Sequence, residues 1–321
     1  MLKINQSKFA INYPKTKSVK KTADCVNDDL KQEAIGINLL PFRGNYHIKN
    51  TIPIIERGFI YNFNDTVDNV LFNHLDKLPI TQNLTPEECI QLRKTVNNNG
   101  DTTPFFMFAL DAKPSVMLVG EHKYLKPDEK YDIFRRTLDV NLRDGTNTKI
   151  YNTLLFNKDL MKNTIEENKD FYIKRMKLDD VSTVDDIYSE LISENSPLKN
   201  NDLHDIIGIT LGFSPINSKL FQLEKCIDNG IDLRKAPNLY KKKMLNTLFS
   251  ADSVYANFDD KFKQELAQAI RNIGVGNERY FDTNWNDFGY TYIHITPDEQ
   301  HNQKIMRLIL NTYQKAKNII E

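Results

Sequence analysis

The chain has 321 residues, 43 Lys and Arg balancing 43 Asp and Glu, with 40% hydrophobic and 27% charged residues and only 12 Gly and 12 Pro. That length can bury a substantial apolar core, and that composition excludes a wholly disordered or fibrous chain. The cancelled charge provides no global field to hold nucleic acid, so no nucleic-acid partner is expected and any electrostatic partner must act locally.

Residues 1–22 contain Lys3, Lys8, Lys15, Lys17, Lys20 and Lys21 and no acid. The segment 1–34 therefore reads as a basic, mobile, solvated arm. From 35 to about 150 the pattern mixes short apolar runs with turns. "NTIPIIERGF" suggests a short helix that stops at Gly58. "LTPEECIQLRKTV" starts a helix, because Thr85 caps it, Pro86 fits its first turn and Glu87 and Glu88 complement its dipole. Phe105 to Leu110 and Val116 to Val119, separated by "DAKPS", predict a β-hairpin. "KPDEKYDIFRRTL" predicts a helix from Pro127, with Tyr131, Phe134 and Leu138 on one face.

From 151 to 321 the pattern is mainly helical. Ser182 or Thr183 caps a helix with Val184, Ile187 and Leu191 as its buried stripe. "NNDLHDIIGITLGFSPINSKLFQLEKCIDNG" reads as two helices around a tight corner, with Gly212 as the left-handed stop, Ser214 as the next cap and Gly230 as its end. "APNLYKKKMLNTLF" and "DDKFKQELAQAIRNIG" supply two more helices. A capping box of Thr296 and Glu299 opens the last one. "GYTYIHIT", around Tyr290 to Ile295, is a predicted strand that returns to the sheet. The expected class is α+β: a small mixed or antiparallel sheet in the N-terminal half, 35–150, packed on a mainly helical half, 151–321, with one compact unit as the alternative to two domains.

Cys25, Cys89 and Cys226 are far apart and form no C-x-x-C pair, which excludes a disulfide framework and a zinc ribbon. The six histidines show no metal-protease spacing, and most acidic pairs sit at predicted helix starts, so no metal is expected. No apolar run approaches the roughly 18 residues of a membrane span, and no secretory signal is present. The chain reads as soluble and cytoplasmic, with export by a route that needs no such signal left open. Cys89 lies in the first turns of a predicted helix, where the dipole is expected to lower its pKa. A nucleophilic thiol with His122 or His204 as base is one reading of it; a half-buried structural cysteine is the stronger one.

"LLPFRG", with Arg43 and Gly44, followed by "IPIIERGF", with Gly58 and Phe59, resembles the opening of ADP-ribosyltransferase domains. The resemblance covers residues 39–121 and rests on the order of elements. It implies that Arg43 binds the phosphate or nearby ribose of NAD, with Gly44 and Phe59 in the following turn. Thr102 and Thr103 stand where the family has a Ser-Thr-Ser strand, and Glu121 where it has its catalytic acid. There is no Ser-Thr-Ser, and no Glu-x-Glu or Gln-x-Glu pair. A carboxylate can stabilise the positive charge that develops on the ribose as nicotinamide leaves, while a guanidinium grips the pyrophosphate. The resemblance implies NAD as cofactor, a protein as substrate, and a bacterial toxin or effector as the kind of protein. The alternative is a non-enzymatic module whose helical half or basic arm binds another protein. The enzymatic reading requires Arg43 and Glu121 to open onto one cleft.

Overall fold

Three strands organise the computed structural model, which describes residues 71–99, 102–141, 147–200, 202–227, 237–273 and 299–320. Strands β1 (Ser115–Val119), β2 (Tyr131–Asn141) and β3 (Asn147–Asn157) form one antiparallel sheet in the order β1-β3-β2. Leu155 pairs with Val116 and Ile133, while Leu154 pairs with Met117 and Phe134. Successive side chains point to opposite faces, so these two rows face two different cores.

Val116, Leu118, Tyr131, Ile133 and Leu155 join the first core. It is built with the 3₁₀ segments Leu71–Lys77 and Pro79–Thr81 and with helices α1 (Pro86–Asn99) and α2 (Thr102–Ala109). Ile305 and Ala316 of the last helix, Glu299–Ile320, complete it. Met117, Phe134, Leu154 and Phe156 join the second core. Its helices are α3 (Lys158–Glu167), α4 (Lys169–Met176), α5 (Val184–Leu191), α6 (His204–Thr210), α7 (Pro215–Cys226), α8 (Pro237–Phe249) and α9 (Asp260–Arg271), and the last helix is α10. The architecture is thus α+β, with helices on both faces of a small antiparallel sheet and most helices after it. All described residues belong to one compact unit, Asn38–Glu321, and residues 150 and 151 both lie within β3. No described helix is long and apolar enough to cross a membrane.

Local chemistry sets the helix starts. Thr85 and Glu88 form a reciprocal cap, the Glu88 N–H reaching the Thr85 hydroxyl at 3.3 Å and the Thr85 N–H reaching the Glu88 carboxylate at 2.9 Å. Thr183 and Asp186 repeat the arrangement, Ser214 accepts from the Asn217 N–H, and Asp259 accepts from the Phe262 N–H. Gly212, at φ +81°, stops α6, and the Phe213 N–H closes back on the Gly208 carbonyl at 2.9 Å. A Cβ at Gly212 would stand 2.8 Å from Pro114 Cδ, so the corner tolerates glycine for both space and conformation.

Two sequence expectations are corrected. Residues Phe105 to Leu110 are not a hairpin strand: Thr102–Ala109 is α2, and the partner of β1 is β3. Phe105, Phe106, Met107 and Phe108 are all fully buried, and a helix buried on every side gives the same unbroken apolar run as a buried strand. Residues 131–138 are not helical but belong to β2. Tyr131 and Phe134 are three apart because they face different cores, which mimics helical spacing. The expected helix at 52–57, the strand at 290–295, and the caps at Gly230 and Thr296 lie outside the described residues.

Candidate functional site

β1 is followed by Gly120, whose φ of +117° turns the chain out of the sheet. Its N–H still donates to the Tyr151 carbonyl at 2.7 Å, and its own carbonyl accepts from the Thr153 hydroxyl at 2.8 Å. The loop that follows carries Glu121, His122, Lys123, Tyr124 and Lys126. His122 is a non-glycine residue at φ +40°, a strained backbone that persists only where the surroundings over-determine it.

Those surroundings are specific. The His122 ring is buried, with Nε2 3.0 Å from the Val119 carbonyl and Nδ1 2.7 Å from the Tyr124 hydroxyl. A carbonyl only accepts, so Nε2 carries the proton and Nδ1 accepts from Tyr124. Burial pushes the imidazole pKa down, with the Arg135 charge acting the same way and the bond to the Val119 carbonyl opposing both, which agrees with a neutral ring. Arg135, on β2, holds the loop from beneath. Its Nε donates to the Glu121 carbonyl at 2.7 Å, and one terminal nitrogen donates to the carbonyls of His122 at 3.0 Å and Leu125 at 2.7 Å.

Beside this loop is an open depression of about 860 Å³. Tyr124, Tyr151 and His122 contribute aromatic surface, and Glu88, Glu121, Lys123 and Lys126 supply charge. The Glu121 carboxylate is 43% exposed and lies 2.7 Å from Lys123 Nζ. It is therefore within reach of a partner or substrate, and among the described residues it is held by a surface ion pair of the weak kind.

Of the expected site residues, only Glu121 stands in this depression with a described side chain. Thr102 and Thr103 are the first residues of α2, so the Thr pair opens a helix where the resemblance implied a strand. Arg43, Gly44 and Phe59 lie outside the described residues. The nucleophile reading of Cys89 is corrected: burial, then Asp76 and Glu88, push its thiol up, the opposite of the lowering expected at a helix start. His122 is not available to it as a base, since both ring nitrogens are engaged. His204 packs edge-on against Phe221 in the helices of the opposite sheet face. Among the described residues, no three His, Cys, Asp or Glu side chains gather where they could hold a metal ion.

Sequence reasoning missed Tyr124, Arg135 and Tyr151. The available signal was the Gly-Glu-His step directly after a predicted strand, where a glycine marks a change of chain direction. No family model matches the sequence, and neither a curated protein nor a solved structure matches it.

Proposed function

We propose that this protein acts by binding another protein through the surface of the 119–126 loop. The observation that carries the reading is the bracing of that loop by Arg135 and His122 in a strained, exposed conformation. A loop fixed before binding loses little freedom on association, so more of its contact energy appears as affinity. Tyr124 and Tyr151, of a residue type enriched in protein-recognition patches, line the depression beside the loop. The test is a photo-crosslinking residue placed in turn at Lys126, at Tyr151 and at the exposed Val181, in cells that contain the partner. A common adduct from the first two positions and none from the third supports the reading. Equal labelling at all three positions, or labelling at Val181 alone, contradicts it.

One observation favours a second reading, in which the protein is a bacterial effector or toxin that uses NAD to ADP-ribosylate its partner. Glu121 is half-exposed beside two tyrosines at a strand end, a position suited to a carboxylate that stabilises ribosyl cation character. In this reading Arg43 grips NAD, Gly44 and Phe59 form the adjoining turn, and Thr102 and Thr103 shape the pocket. Incubation with labelled NAD and lysate separates the two. Transfer by the wild type that is lost in Glu121→Gln supports the enzyme; absence of transfer and of NAD binding leaves the binding module.

A further inference from the structure

A second cavity, of about 190 Å³, lies where α3, the α6–α7 corner and α10 meet. The corner shapes it. Gly212 sits against Pro114, and the tight turn brings Ile209 and Phe213 into the wall opposite Leu160, Ile305 and Leu308. Most of the cavity surface is therefore apolar, with Asn163, Thr164, Asn168 and His301 as further polar members of its lining. Glu167 and Lys304 also line it, paired at 2.6 Å, and both side chains are about half exposed, at 56% and 52%, which places them at its mouth.

We propose that this cavity binds a single-ring aromatic carboxylate, with the ring in the apolar body and the carboxylate on Lys304. Size selects the ring. An apolar cavity of about 150 Å³ is known to accept benzene, so 190 Å³ fits one ring with a short substituent. Charge selects the substituent. The Glu167–Lys304 pair is solvent-exposed and hence weak, so an incoming carboxylate can replace Glu167 on the ammonium. The first turn of α7, at Pro215, lines the same cavity and adds the partial positive charge of a helix N-terminus. An amine would have to reach Glu167 against both Lys304 and that helix end.

The experiment titrates the full chain with benzoate, benzylamine and toluene, following binding by calorimetry and melting temperature. Saturable benzoate binding that raises the melting temperature is expected, with benzylamine and toluene much weaker. Lys304→Gln is expected to weaken benzoate about tenfold, and Leu160→Phe, which fills the body, to abolish binding. Leu308→Phe serves the same purpose if the Leu160 variant melts early. Binding of toluene or benzylamine as tight as benzoate overturns the proposal. So does benzoate binding that survives both Lys304→Gln and the filled cavity, or no binding by any of the three probes.

Discussion

At the scale of single residues, a half-buried and a buried arginine have opposite expected consequences. Arg175 Nε donates to Asp205 at 2.8 Å; Asp205 is fully buried and also accepts from the Tyr255 hydroxyl at 2.8 Å. Asp205→Ala leaves a half-buried guanidinium without its carboxylate and a fully buried phenol without its acceptor, so a loss of about 3–5 kcal/mol is expected in urea unfolding. Arg136 is buried; it donates to the Leu198 carbonyl and the Met117 sulfur and has no carboxylate partner among the described residues. Burial pushes its pKa down. Arg136→Met removes an uncompensated charge, and a change between zero and about 2 kcal/mol of added stability is expected by the same measurement. His122 gives a pH dependence. Its folded pKa is lowered, so the unfolded chain binds the proton more readily; the stabilisation is complete above the ordinary value near 6.5 and is lost as pH falls below it. His204 is lowered as well and acts in the same direction. Melting temperature should fall between pH 7 and 5 less steeply in His122→Gln than in the wild type.

At the scale of elements, the sequence announced helices through their ends and concealed strands through their burial. Thr85, Thr183 and Ser214 cap as side-chain chemistry suggested, and Asp259 caps α9 in the same way, because a cap depends on neighbours three residues away. β3 gave no alternation to read, since Asn152 through Asn157 are all buried between two helical layers. The same loss of pattern made α2 resemble a strand. Gly212 tests how tightly the corner is built. Gly212→Ala forces a Cβ into positive φ and against Pro114, so a loss of about 1–3 kcal/mol is expected by thermal melting, while an alanine at the surface position Asn238 should change little.

At the scale of the whole molecule, the sheet is the device that assembles the candidate site. Glu121 was visible in the sequence as an acid after a strand, but its neighbours were not. Arg135 is 14 residues further along and Tyr151 is 30, and only the pairing of β2 and β1 with β3 brings them to one loop. Distances of that kind carry no local periodicity, which is why the loop's bracing was hidden while its acid was not. The proposed recognition of a protein rests on a loop held by Arg135. The most direct measurement is the yield of partner crosslink from a photoreactive residue at Lys126, compared between the wild type and Arg135→Met. Arg135→Met is expected to show faster amide exchange confined to residues 120–126, a melting temperature changed by only a few degrees, and loss of most of the crosslink. A crosslink of undiminished yield from a loop shown by exchange to be loosened would contradict it.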